Sequence, residues 1–208
     1  MRITPNSRPI KRWSLAFASN SARRDGLGFG VVMSGYRFDR LKVLVVDDNP
    51  HMRRLVTTIL NAFGATLISE AADGPRALQL TREVNPDVIV LDWMMEGMTG
   101  IEVAKTIRTS PASPNPYIPI IMLTGHTSAE CVLQARDAGV NEFLAKPVSV
   151  KAMLARLTAV IEYPRPFVRT SAYFGPCRRR RNEEYRGPER RENEDAPLKR
   201  AASQGNRR

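Results

Sequence analysis

Three acidic side chains stand where this chain could use them for chemistry. Asp92 closes the run Val88-Ile89-Val90-Leu91, four apolar residues that read as a strand buried on both faces. Asp47 and Asp48 close a second run, Leu41–Val46. Two further runs, Ile118–Leu123 and Val140–Ala145, end at Thr124 and at Lys146-Pro147. Ligands of open parallel sheets bind beyond the carboxyl ends of strands, so these residues are expected to meet in one pocket around Asp92. Neighbouring strands lie ~4.8 Å apart, and carboxylates that close raise one another's pKa. A divalent cation relieves the repulsion, and hard oxygen donors suit Mg2+, which keeps several waters and joins carboxylates to phosphate. Lys146 adds a fixed positive charge and Thr124 a hydroxyl donor. The inventory is one for phosphoryl transfer, with a carboxylate attacking in line while cations and hydrogen bonds hold the equatorial oxygens. The chain has no Gly-rich nucleotide loop and no G-x-G-x-x-G, so the phosphoryl group must arrive from another protein or a small donor.

The elements that would position these residues follow in regular order. After Leu41–Val46, Asn49 can cap a helix with Pro50 at its first position. Met52, Leu55, Val56, Ile59, Leu60 and Phe63 then repeat at helical period, and Gly64 is placed to end the helix. A short strand, Ala65–Ser69, precedes a helix opened by Asp73-Gly74-Pro75 and stopped by Asn85-Pro86. The strand at Val88–Leu91 leads through a Met- and Gly-rich loop, Trp93–Gly100, to a helix from Ile101 to Arg108. Pro111, Pro114 and Pro116 make the next segment an extended connector, and Pro119 restricts ladder pairing at the start of Ile118–Leu123. Helices at Ser128–Asp137 and Ser149–Ile161 flank the last strand. Five strands alternating with five helices imply right-handed crossovers and an α/β doubly wound parallel sheet with helices on both faces.

Charge separates this middle from the ends. Residues 1–40 carry 8 Lys+Arg against 2 Asp+Glu, residues 41–161 carry 11 against 12, and residues 162–208 carry 13 against 7. The formal net charge of +11 therefore belongs to the ends. Domain boundaries are expected at 1–40, 41–162 and 163–208, with both extensions disordered. Pro5, Pro9, Gly26, Gly28 and Gly30 break any early helix, and Met33 offers an alternative natural start. In the tail, Tyr173-Phe174-Gly175-Pro176-Cys177-Arg178-Arg179 recurs 12 residues later as Tyr185-Arg186-Gly187-Pro188-Glu189-Arg190-Arg191. Two copies cannot build a solenoid, which takes about three. Arg178–Arg181 could be solvated charge, a nucleic-acid or membrane contact, or a protein docking site. Cys131 and Cys177 fit neither a disulfide framework nor a metal spacing, which suits a reducing, cytoplasmic setting, and no apolar run reaches the ~18–20 residues of a membrane span.

An acidic pair after a strand is by itself most often a solvated loop. Here the coincidence of four strand ends carries the inference, and so does a resemblance. Leu44-Val45-Val46-Asp47-Asp48-Asn49, Asp92-Trp93-Met94-Met95 with Met98 and Gly100, Ile121-Met122-Leu123-Thr124-Gly125, and Phe143-Leu144-Ala145-Lys146-Pro147 together resemble the bacterial response-regulator receiver family over residues 41–161. The resemblance implies a flavodoxin-like sheet of order 2-1-3-4-5. It implies Asp92 as phosphoacceptor for a histidine kinase or histidine phosphotransfer protein. It further implies Mg2+ bound by Asp48, Asp92 and the Met94 carbonyl, with Asp47 acting through water. Thr124 and Lys146 would contact the phosphoryl group, the Lys146–Pro147 bond would be cis, and Phe143 would be the rotating aromatic switch. Glu96 departs from the family, which commonly has Pro there, so the loop after Asp92 is expected to be looser and more acidic. Met94 is apolar where some members orient water, so self-dephosphorylation is expected to take longer than seconds.

The expected function is therefore a stand-alone phosphorelay switch and not an enzyme, acting through contacts with a downstream protein. Two alternatives stand beside it: a hydrolase of phosphate esters with an Asp nucleophile, and a regulator that binds nucleic acid through its basic tail. His51 and His126 read as rim residues, Trp93 as a partly exposed reporter of Mg2+, and the Met cluster as adaptable filler.

Overall fold

The computed structural model describes residues 2–4, 38–125, 128–170 and 172–178. In chain order its elements are β1 (Arg2–Thr4), β2 (Lys42–Val46), α1 (Pro50–Ala62), β3 (Leu67–Ala71), α2 (Gly74–Val84), β4 (Val88–Asp92), α3 (Gly100–Thr109), β5 (Ile120–Thr124), α4 (Ala129–Asp137), β6 (Glu142–Ala145), α5 (Val150–Glu162), β7 (Phe167–Arg169) and β8 (Phe174–Pro176). Five strands form one parallel sheet in the order β3-β2-β4-β5-β6. Counted within that sheet alone the order is 2-1-3-4-5, the flavodoxin-like arrangement expected. Its switch point lies between β2 and β4, and Asp47 and Asp92 stand at the ends of those two strands.

Alternation along each strand divides the core in two. Val43, Val45, Val88 and Val90 pack with Val56, Ile59 and Leu60 of α1 and Met153, Leu157 and Val160 of α5. Leu44, Val46, Ile89 and Leu91 face the other way, toward Leu80 of α2, Val103 and Ile107 of α3 and Ala135 of α4. Burying each such side chain contributes about 1.5–3 kcal/mol, so strands buried on both faces hold their carboxyl-end residues on a rigid base.

The helix ends follow local chemistry. The Asn49 side chain accepts from the His51 and Met52 N–H groups, and Asp73, Thr99, Ser128 and Ser149 cap the later helices in the same way. The strand at Val88 starts where expected, but β2, β3, β5 and β6 start one or two residues later than the apolar runs suggest. Pro119 has no N–H to give, and β5 begins at Ile120. Gly100 is required by a close approach, because a Cβ there would collide with the carbonyl oxygen of Asp92. Its own N–H donates to Trp93 O at 3.0 Å, seating α3 directly behind the end of β4.

The C-terminal extension departs from expectation. Part of the segment from 163 folds: β7 and β8 form an antiparallel hairpin, and β1 adds to β7, so Arg2–Thr4 also departs from the disorder expected for the N-terminal extension. Phe167 is 2% exposed and Val168 4%. Phe167 and Phe174 pack against Tyr117 at 5.1 and 5.2 Å between ring centroids. Strands of three residues show no readable period, and their burial depends on Tyr117, about 50 positions away in the chain. Met33, Arg179–Arg181 and the second repeat copy, 185–191, lie outside the described residues.

Candidate functional site

The carboxyl ends of β2, β4, β5 and β6 converge as the spacing of the apolar runs requires. Register sets the neighbours: Asp92 pairs with Leu123, and Thr124 with Ala145, so Thr124 stands one residue beyond Asp92 on the next strand and Lys146 follows on the one after. Asp47 is 0% exposed, and Asp92 and Thr124 are 4%. Asp48 is exposed. Oxygen atoms from Asp47, Asp48 and Asp92 lie within 4.8 Å of one another.

Lys146 reaches into this cluster. Its Nζ lies 2.7 Å from Asp92 Oδ1 and 3.1 Å from Asp47 Oδ2. Its backbone N–H donates to Thr124 O at 2.8 Å, which ties the ends of β5 and β6 together. The Lys146–Pro147 peptide bond is cis. Each carboxylate also accepts from one backbone N–H: Asp47 from Asn49 at 2.9 Å, Asp92 from Trp93 at 2.9 Å, and Asp48 from Glu96 at 3.0 Å.

These contacts do not neutralise the cluster. Burial raises the pKa of Asp92 and the charge of Asp47 raises it further, while Lys146 and the Trp93 N–H offset only part. Burial pulls Lys146 down, but its bonds to Asp92 and Asp47 outweigh that and leave it above its ordinary value. Two buried carboxylates therefore share one ammonium, with a third beside them. An oxygen-rich, over-negative, partly open pocket of this kind fits a hard divalent cation such as Mg2+, with Asp47, Asp48 and Asp92 as the residues that would hold it.

The remaining expectations divide. Phe143, opposite Met122 in the register, is half-buried against the larger core cluster. Met94 is 58% exposed in the loop after β4. Trp93 is not a rim residue: it is 8% exposed and belongs to the core with Val103 and Ile107, because the chain turns inward where α3 is seated. In the loop after β4, the Glu96 N–H donates to Asp48 Oδ2 at 3.0 Å. His51 is exposed on α1, and His126 lies outside the described residues.

One contributor escaped the reading of residue types. Arg53, in the first turn of α1, donates Nη1 to Asp47 O at 2.7 Å and to Asp48 O at 3.3 Å. A cation four residues past a capping Asn faces back toward the capped loop, and that position was the available signal.

The likeness to known proteins is centred on this sheet. The family described as the response regulator receiver domain matches residues 43–158, more than half of the chain. The chemotaxis protein CheY of Pseudomonas aeruginosa is 33% identical over 122 residues, 59% of this chain and 97% of that protein. The DNA-binding response regulator MtrA of Mycolicibacterium smegmatis is 34% identical over 120 residues, 58% of this chain and 50% of that protein. Among solved structures, the chemotaxis protein CheY4 of Vibrio cholerae superposes with a TM-score of 0.54 at 35% identity, covering 58% of this chain and 98% of its own. With fold order, strand-end residues and sequence in agreement, this chain belongs to the response regulator receiver family.

Proposed function

We propose that the protein accepts a phosphoryl group on Asp92 from a histidine kinase or a histidine phosphotransfer protein and works as a stand-alone switch of protein contacts. The observation that carries this reading is the pair of distances from Lys146 Nζ, 2.7 Å to Asp92 and 3.1 Å to Asp47, inside an otherwise acidic pocket. A carboxylate oxygen of Asp92 is the nucleophile, forming its bond to phosphorus as the donor's phosphorus–nitrogen bond breaks. Lys146 is placed to follow charge from the carboxylate to the incoming phosphoryl oxygens, and the Thr124 hydroxyl to donate to one of them. Mg2+, when bound by Asp47, Asp48 and Asp92, supplies the charge that makes an anionic phosphoryl group tolerable beside three carboxylates. The acylphosphate stores the signal, and a shift of Thr124 with Phe143 alters the surface around β6.

Met94 offers no polar group to orient water two residues past Asp92, which supports a lifetime longer than seconds and a switch in preference to a phosphatase. No helix among the described residues is long and apolar enough to cross a membrane, and a cytoplasmic site of action is part of the proposal. The downstream partner is taken to be a protein; tail-borne nucleic-acid binding is the lesser reading.

Incubation with acetyl phosphate and Mg2+ tests this. The expected result is one slowly lost label per chain, absent without Mg2+ and absent in Asp92→Asn. Sustained turnover of phosphate monoesters, or label that survives Asp92→Asn, would overturn it.

A further inference from the structure

The three carboxylates of the pocket are not held in equivalent ways. Asp47 and Asp92 are buried, share Lys146, and take their backbone N–H bonds from residues two and one positions along the chain. Asp48 is the exposed member, and the N–H that holds its Oδ2 at 3.0 Å comes from Glu96, 48 residues away on the loop that follows another strand. A carboxylate ligand that accepts an outer hydrogen bond is oriented before the metal arrives, and such partners commonly change metal affinity by about 10–100-fold.

We propose that the backbone N–H of Glu96 is a positioning group for Mg2+ in this chain. It fixes the rotamer of Asp48 and ties that side chain to the loop after β4. The inference rests on the reading of the pocket as a Mg2+ and phosphoryl site, and it is particular to this sequence: a proline at the same place has no N–H to donate. Any other residue supplies the bond, so the Glu96 carboxylate has a separate effect. As an exposed charge at the rim it attracts Mg2+ through solvent and is screened by salt.

Two substitutions in the full chain separate these effects. Glu96→Ala keeps the N–H and removes the charge; Glu96→Pro removes both. Titration with magnesium chloride, followed by thermal unfolding and tryptophan fluorescence, is expected to show Glu96→Ala within about threefold of wild type, with the difference shrinking at about 0.5 M salt. Glu96→Pro should bind about tenfold more weakly than Glu96→Ala at both salt concentrations. Without Mg2+ the proline variant should unfold only slightly below the alanine variant, by the loss of one exposed hydrogen bond, and the gap should widen as Mg2+ is added. A merely structural role would leave the gap unchanged by Mg2+. In an Asp48→Ala background the difference between proline and alanine must vanish. Equal affinity of the proline and alanine variants, or a difference that persists without Asp48, overturns the inference. A wild-type protein that fails to bind Mg2+ overturns instead the reading of the pocket on which it rests.

Discussion

Two buried charged regions lie at opposite ends of the same sheet, and they are built on opposite terms. At the carboxyl ends, Asp47 and Asp92 share the ammonium of Lys146, and Asp92 is still pushed toward its neutral form by burial. At the amino ends of β5 and β6, Arg108 is 4% exposed and donates to neutral acceptors, Gly139 O at 3.0 Å, Pro116 O at 2.8 Å and Asn141 Oδ1 at 3.0 Å, with Tyr173 nearby. Its guanidinium also lies 5.1 Å from the centre of the Phe167 ring. Burial lowers its pKa to about 9, and it remains a cation at neutral pH with its donors directed at oxygen. The first arrangement stores unbalanced charge that a cation and a phosphoryl group can relieve. The second spends a charge on joining α3, the connector before β5, the turn before β6 and the C-terminal hairpin. A buried charge is therefore no marker of function by itself: burial pushes both Arg108 and Asp92 toward neutrality, and what distinguishes the acidic pocket is an excess of like charge that one ammonium does not offset.

Removing the hydrogen-bonded guanidinium should have the largest effect on stability. Arg108→Met leaves three oxygens without this donor in a buried setting, a loss of about 3 kcal/mol by urea unfolding. Mg2+ affinity, measured on the folded protein, should stay within about twofold of wild type. A matching loss of Mg2+ affinity would join the two regions and end the contrast.

A smaller effect is expected where the hairpin meets the receiver. A Cβ on Gly175 would lie 2.8 Å from Gly139 Cα and 2.5 Å from Tyr173 Oη. The first neighbour is backbone and cannot move cheaply, so Gly175→Ala should cost about 1–2 kcal/mol and speed proteolysis near residues 170–178. Unchanged cleavage would mean that the hairpin contributes nothing to holding this end.

The smallest stability effect carries the opposite sign. Asp92 has its pKa raised in the folded state, so ionising it weakens folding. That cost is absent below the unfolded value near 3.8, grows as pH rises through the raised folded value, and is fully present at neutral pH. Asp92→Asn should therefore raise the neutral-pH unfolding midpoint without Mg2+ while abolishing the label. Added Mg2+ should stabilise wild type more than this variant. A lower midpoint for Asp92→Asn without Mg2+ would show that the pair with Lys146 outweighs burial.

The contrast also explains what was legible beforehand. Apolar runs ending in Asp47-Asp48, Asp92, Thr124 and Lys146 could be read because strand ends in a parallel sheet share one edge, and because caps such as Asn49 and Asp73 act within a few residues. Phe167 and Phe174 could not be read, since three-residue strands carry no period and their partners Tyr117 and Arg108 belong to other elements. Trp93 misled for a related reason: next to Asp92 it counts as a site residue by position, but the seat of α3 turns it into the core.

Local order, alternation and residue type thus determined the sheet, the helices and the membership of the acidic pocket. Tertiary structure alone decided how charge is balanced there. That Asp48 is held by a backbone N–H 48 positions away, and that Arg108 finds three oxygens from two other segments, follows from register and packing between distant parts of the chain. Hydrogen bonds act over about 3 Å, and no pattern along a sequence states which groups a fold will bring that close.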